Sequence, residues 1–447
     1  VVRQTGVHAA GVIISPGPLT DYIPIMRRGD GQPLVSQWDM IKTEMVGMLK
    51  VDFLALRNLG VIDMAVDSIY KRHGVEVDVD NIDLDDQDVF DSIANGDTVG
   101  CFQIESSGMQ DMVASVRPRS VEDIMAIISL YRPGPMGSGM DKMFVNRKHG
   151  RESVRYATPI LEDVLDGSYG VMLYQEDVLN TTRAITGWNA SEADDLRKVM
   201  GKKLMDKVGQ YRAKFVADAE SFSGIDRDVA NKIYSDIEYF AGYGFNRAHA
   251  ASYAMISYIT AWLRHHYPAE YMAALLSSVA NKKERLSLYL NQCRKMNLTV
   301  LPPDLNKSEY EFKVLDDETI IFGLSAIDGI GDQIIAPIIE ARESYGEFRH
   351  IYDFFKACDN AVLNKSVFEH LLRSGALDNM VWFDPGFEVT RDEYVDMLES
   401  EKKETGLYIT DHPIAGLWGY IKPNITHTVT ELEGYLSSEP VKVGGII

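Results

Sequence analysis

The sequence predicts a multidomain α+β chain that is mostly helical, and three observations carry that reading. A length of 447 residues makes room for about three compact units at roughly 100–200 residues each. Apolar residues recur at helical spacing through most of 85–266, whereas β-rich runs are short, as in GVIIS from Gly11 and GMLKVDFLAL from Gly47. Gly/Pro clusters break the helical pattern at RPGPMGSG (Arg132 to Gly139), AGYGFN (Ala241 to Asn246) and LPPDLN (Leu301 to Asn306). Hydrophobic residues at 45% and charged residues at 25% exclude a disordered or collagen-like chain.

Charge and cysteine usage narrow the function classes. With 45 basic against 66 acidic side chains the formal charge is −21, so the surface as a whole does not attract phosphate. The cations crowd locally instead, at Arg197, Lys198, Lys202, Lys203, Lys207, Arg212 and Lys214, between acidic stretches at Asp78 to Asp97 and Asp378 to Glu404. No apolar stretch approaches the roughly 18–20 residues of a membrane-spanning helix, so no membrane partner is expected. Cys101, Cys293 and Cys358 lie far apart with no C-x-x-C pair. That spacing opposes a disulfide framework or a thiolate zinc site and suits a cytoplasmic location. The N-terminus has no signal-peptide character and reads as the interior of a larger protein.

Taken in order, residues 1–84 read as part of an α/β unit ending in a helix near Leu59 to Arg72. Within it, alternation along Leu49 to Phe53 sends Leu49, Val51 and Phe53 to a core face, and Lys50 with Asp52 to the other. An ammonium beside a carboxylate is either a strand-edge ion pair or part of a metal and triphosphate site. Residues 85–300 read as a large helical unit. Inside it Ser191 and Asp194 have capping-box spacing, and Gly201 suits the left-handed residue past a helix end. The cations Arg197, Lys198, Lys202 and Lys203 around that glycine either complement the helix dipole or hold phosphate. Asn246 can cap the next helix, on which His249 and Tyr253 share a face, for packing or for stacking on a nucleobase. Residues 301–380 contain Gly329, Ile330 and Gly331, an apolar residue between two glycines flanked by apolar helices. This is the pattern of a hairpin whose amides can hold a DNA phosphate, although Asp328 and Asp332 oppose an anion there. An acidic connector (381–412) leads to 413–447, which closes on the β-like run VKVGGII.

Eleven collinear motifs carry a resemblance over nearly the full chain: HAAGVIIS, LKVDFLALRNL, CFQIESSGM, YRPGPMGSGM, YGVMLYQE, LRKVMGKK, AGYGFNRAHAASYA, YPAEYMAALL, LPPDLN, GLSAIDGIG and ETGLYITDHP. In this order they resemble the bacterial DNA polymerase III alpha family, the C-family replicative polymerases. The resemblance implies a partial nucleotidyltransferase-type palm in 1–84, fingers in 85–300, a helix-hairpin-helix region in 301–380 and the start of an OB-fold in 413–447. By the same token Asp52 matches a metal-binding palm aspartate and Lys50 a lysine near the incoming triphosphate. Arg132, Arg197, Lys198, Lys202 and Lys203 match fingers residues facing the phosphates, and Tyr243, Asn246 and His249 fall on the motif lining the nucleotide pocket. Gly329, Ile330 and Gly331 would bind DNA.

The implied reaction is transfer of a nucleotide from a deoxynucleoside triphosphate to a primer 3′-hydroxyl, with two Mg²⁺ ions. Primer-template DNA and dNTP are the expected partners, together with a sliding clamp and other replisome subunits. Several departures go with the resemblance. The family's paired aspartates, in a P-D-x-D-x-D-F type motif, have no equivalent here, so the metal site would be completed by carboxylates outside this chain, and the stretch alone should not polymerise. Lys198 stands where the family often has arginine, and Asp411 where it often has glycine. No Gln-x-x-Leu-Phe type clamp peptide occurs between Asn379 and Glu404. The reading from another class is a non-catalytic nucleic-acid-binding scaffold derived from such a polymerase. A metal-dependent hydrolase built on Asp52 fares worse, because the acidic cluster at Asp78 to Asp97 has no histidines.

Overall fold

The computed structural model describes residues 6–8, 10–201, 205–240, 244–358, 362, 365–380, 399, 402–403 and 405. Lys202, Lys203, Tyr243 and the whole of 413–447 lie outside the described residues, and with them the expected start of an OB-fold. The described residues are mostly helical with three small sheets, and the chain divides into two compact units, Val1–Arg57 and Asn58–Ile447.

In the first unit β1 (Gly11–Ile14), β2 (Ile25–Arg27), β3 (Leu34–Ser36), α1 (Met40–Met45) and β4 (Leu49–Asp52) follow one another. Strand β1 pairs with β4 and β2 with β3, both antiparallel. Because Gly11 stands opposite Asp52 and Ile13 opposite Lys50, these four share one face, while Val12, Ile14, Leu49 and Val51 share the other. The alternation expected for β4 is therefore present, but its apolar side is not a core. Leu49 is 59% exposed and Phe53 67%. A two-stranded ribbon has little with which to cover a face, so pattern alone overstated the burial.

The second unit is built around four cores. Helix α2 (Arg57–His73) packs with helices later in the chain. Next come α3 (Gln87–Ala94), α4 (Ser107–Val116), α5 (Val121–Leu130), α6 (Pro133–Ser138), α7 (Met140–Lys148), α8 (Glu162–Leu165), α9 (Gln175–Thr186), α10 (Ala190–Gly201), α11 (Met205–Ser223) and α12 (Arg227–Phe240). The long α13 (Arg247–His266) is followed by α14 (Pro268–Ser277), α15 (Lys283–Lys295) and a sheet of β5 (Thr299–Leu301), β6 (Lys313–Asp316) and β7 (Thr319–Ile321), ordered β5-β7-β6. Helices α16 (Asp332–Tyr345), α17 (Ile351–Ala357) and α18 (Lys365–Arg373) complete the described elements.

Helix ends follow local chemistry. Asp86 accepts the Asp88 and Val89 amides at the start of α3, and Asn246 accepts the His249 amide at 2.8 Å to start α13. Between α3–α5 and α13, Phe90, Ile127 and Tyr258 are fully buried; a second core joins Val178 of α9 with Phe215 of α11 and Ile237 of α12. Each such large apolar side chain contributes about 1.5–3 kcal/mol of transfer free energy. A third core sets Ile69 of α2 against Tyr271, Leu275 and Leu290, and against Ile320 and Phe322 at the small sheet. The contact boundary at Arg57/Asn58 thus precedes the change of pattern near residue 84, because α2 spends its buried face on α14, α15 and the sheet. Ile335, Phe348, Phe354 and Leu371 form the last core, under α16–α18. Among the described residues no helix is long and apolar enough to cross a membrane.

Candidate functional site

On β4 the Lys50 ammonium donates to Asp52 Oδ1, and His8 Nδ1 lies 3.8 Å from the same oxygen. The Lys50 hydrogen bond holds the Asp52 carboxyl below its ordinary value, so it is ionised at neutral pH. Across the ribbon a Cβ on Gly11 would come within 3.0 Å of His8 Nδ1 and Lys50 Cε and 3.3 Å of Asp52 Oδ1. The trio closes tightly over a residue with no side chain, so any side chain at Gly11 would push its members aside. An exposed ionised carboxylate is a suitable donor to a hard divalent cation. Among the described residues, however, no three of His, Cys, Asp or Glu come together as a metal-binding group, so Asp52 offers one ligand of a larger set.

In the second unit Arg132 precedes α6, where Pro133 supplies a fixed φ for the first helical residue. Its guanidinium carbon sits 3.6 Å from the centroid of the Phe245 ring. A cavity of about 300 Å³ opens there, lined among others by Gln103, Tyr131, His249 and Tyr253. The His249 and Tyr253 rings lie 4.1 Å apart, as the i, i+4 spacing on α13 requires. Burial pulls the Arg132 guanidinium below its ordinary value. Among the described residues it has no carboxylate or hydrogen-bond partner. A half-buried cation held on an aromatic face and lacking an anion is chemically equipped to receive one.

Helices α9 and α10 join this pocket through the chain leading into α13. Arg197 donates to Asp194 at 2.9 Å and to Gln175 Oε1 at 3.3 Å, while Gln175 donates from Nε2 to the Gly244 carbonyl and from its amide to the Phe245 carbonyl. Glu176 accepts Asn246 Nδ2 at 3.0 Å and the Arg247 amide at 2.9 Å. Asn246 is thus occupied in capping α13 and in binding Glu176. Lys198 pairs with Asp194 at 2.6 Å, and Asp194 is held below its ordinary value by Lys198 and then Arg197.

Two sequence expectations are corrected here. The capping box of α10 is Asn189 with Glu192, each accepting the other's amide at 3.0 and 3.2 Å, and Ser191 is not the cap. Gly201 is itself helical, so it is no left-handed stop. Density of charge alone does not demand a bound anion at Arg197 and Lys198, since Asp194 already serves both.

At the hairpin, Gly329 has φ +74°, and a Cβ there would run into the His370 ring. Ile330 is buried, and Gly331 precedes α16 with φ −106° and open space where a Cβ would stand. The element before the turn is a single 3₁₀ turn, Leu324–Ala326, where a helix was expected, since Gly329 and its left-handed turn follow within three residues. Asp328 pairs with Lys283, which offsets its charge, while Asp332 accepts from the Tyr310 hydroxyl at 2.5 Å and keeps its own. His8, Gly11, Gln103, Gln175, Glu176 and Phe245 are the residues that sequence reasoning left without a role. The run YGVMLYQE held the signal for Gln175 and Glu176, but their partners are some seventy residues away.

Residues 1–55 match the model of the bacterial DNA polymerase III alpha NTPase domain, 58–222 that of the bacterial DNA polymerase III alpha subunit finger domain, and 297–382 a helix-hairpin-helix motif. The DNA polymerase III alpha subunit of Thermus aquaticus is 37% identical over 98% of this chain and 39% of its own length. That of Escherichia coli K12 is 41% identical over 85% and 33%, and that of Aquifex aeolicus VF5 is 36% identical over 100% and 40%. A finger domain followed by a helix-hairpin-helix motif is the makeup of a DNA polymerase subunit. The chain belongs to the bacterial DNA polymerase III alpha subunit family, and it spans between a third and two fifths of the length of these relatives.

Proposed function

We propose that the chain takes part in template-directed DNA synthesis, contributing late palm, fingers and helix-hairpin-helix parts, and that the Arg132 pocket receives the triphosphate of an incoming deoxynucleotide. The observation that carries this reading is the half-buried Arg132 guanidinium, stacked on Phe245 with no anionic partner among the described residues. Arg132 binds phosphate there, beside the Phe245, His249 and Tyr253 rings. Arg197, anchored through Gln175 to the same loop, and Lys198 supply further positive charge once a triphosphate competes with Asp194. Lys202, Lys203 and Tyr243 belong to the proposal by family match alone.

DNA polymerases generally use divalent metal ions, which stabilise the attacking and leaving oxygens when bound. We assign Mg²⁺ to that role, Asp52 as the ligand this chain offers, and Lys50 to the triphosphate. The Gly329-Ile330-Gly331 turn would contact primer-template DNA by its backbone, and a sliding clamp and other replisome subunits complete the proposed partners.

The test is primer extension in a polypeptide extended to the relatives' full length. Asp52→Asn should lower turnover by orders of magnitude with primer-template affinity unchanged, and Arg132→Ala should raise the KM for dNTP by about tenfold or more. Normal turnover in both variants would overturn the roles given to Asp52 and Arg132, whereas absence of turnover in the parent polypeptide would favour the non-catalytic scaffold.

A further inference from the structure

A second cationic cavity, of about 280 Å³, is walled by Arg117, Arg119, Lys148, His149 and Tyr169, and shares no lining residue with the Arg132 pocket. Three chain segments meet there: the link from α4 into α5, the end of α7, and the turn after α8 that carries Tyr169. Cations just past the ends of α4 and α7 suit the helix dipoles, and that alone accounts for Arg117 and Lys148. It does not account for Arg119, which stands immediately before the Ser120 cap of α5, at the positive end of a dipole.

The charges are not consumed within the protein. Lys148 pairs with Asp123 at 2.5 Å, and Asp123 also accepts the Arg119 amide at 2.8 Å, so that carboxylate is fixed and its charge is answered. The Arg117 and Arg119 guanidinium groups have no hydrogen-bond or ion-pair partner among the described residues. His149 Nε2 lies 3.0 Å from the Ser115 carbonyl and is its donor, so this ring is held by the backbone at the edge of the cavity. The same two arginines also border a depression containing Asp91, whose single charge does not offset both.

Backbone conformation adds an independent sign. Among the described residues four non-glycines have positive φ, and two of them, Arg117 (50°) and Tyr169 (54°), line this one cavity. Glycine is the residue that ends a helix in this conformation without strain, yet α4 ends on an arginine.

We infer that this cavity binds a phosphoryl group, with Arg117 and Arg119 as its charge-assisted donors, Lys148 as a nearby charge and Tyr169 as a wall. The group is either a phosphodiester of single-stranded DNA or a free anion such as pyrophosphate. The inference does not rest on the nucleotide reading of the Arg132 pocket.

The experiment uses the full chain carrying Arg132→Ala, so that the first pocket cannot supply the signal, with oligothymidylate and inorganic pyrophosphate as separate probes. Arg117→Gly combined with Arg119→Gln should weaken binding of at least one probe about tenfold or more. If the source is DNA, the slope of log affinity against log salt for oligothymidylate falls by about 1.4, or roughly 0.7 per lost contact. If the source is free anion, only pyrophosphate binding falls. Arg117→Gly alone should melt at or above the parent temperature, since it relieves the left-handed arginine, and Arg117→Lys should restore most of the affinity. Unchanged affinity for both probes in the double variant overturns the inference.

Discussion

The Lys50 ammonium and the Asp52 carboxylate sit two residues apart on one strand face, and that pairing was legible from alternation alone. What the sequence did not show is that His8, just before the facing strand, and Gly11 on it, some forty residues earlier, complete the arrangement, because β1 carries no pattern that names its partner or register. Gly11→Val places methyl groups where Lys50 Cε and His8 Nδ1 now lie, so Lys50 should leave Asp52. Its hydrogen bond is the main cause of the lowered Asp52 value, and the carboxyl should then titrate nearer its ordinary range in a ¹³C NMR titration. An unmoved titration would mean that Lys50 does not control this carboxylate. Arg132 was found by family match, and its stacking on Phe245 was beyond pattern reading, since 113 residues separate the two in sequence.

Helix α9 owes its start to an unusual carboxylate. Asp177 accepts the Leu173 and Tyr174 amides at 2.7 and 2.8 Å, yet burial outweighs those bonds and pushes its value up to about 6. A carboxyl whose folded value is raised stabilises the fold below the unfolded value near 3.8 and loses that contribution as pH rises through about 6. Asp177→Asn should therefore be nearly neutral at pH 4 and stabilising at pH 7.5, by up to about 2–3 kcal/mol in chemical denaturation. A variant equally or less stable at pH 7.5 contradicts the burial argument.

Helix α16 tests the hairpin. Gly331→Val meets no heavy atom within 4 Å and costs at most about 1 kcal/mol as a poorer cap, so the protein should stay folded. Duplex affinity should nevertheless fall on every sequence tried, whereas unchanged affinity would leave the turn purely structural. Sequence reading gave both glycines the same part. Gly329 alone carries the positive φ and the crowding by His370, and only a three-dimensional neighbour could reveal that difference. The α10 cap was misplaced for a comparable reason: Asn189/Glu192 and Ser191/Asp194 have the same spacing, and the claim of Arg197 and Lys198 on Asp194 decided between them.

Periodicity and Gly/Pro punctuation foretold a mostly helical chain with short β-strands, as the described residues have it. They did not foretell that α2 would join helices some two hundred residues later, since an amphipathic helix declares a buried face and not the surface that covers it. The functional claim rests on the pocket to which α4, α5 and α13 contribute. It is tested most directly by titrating dATP into the 447-residue chain and its Arg132→Ala variant calorimetrically, with deoxyadenosine as the uncharged control. The account predicts that the parent prefers the triphosphate to the nucleoside and that Arg132→Ala weakens dATP about ten- to hundredfold while leaving deoxyadenosine binding alone. Equal dATP affinity in parent and variant would contradict it.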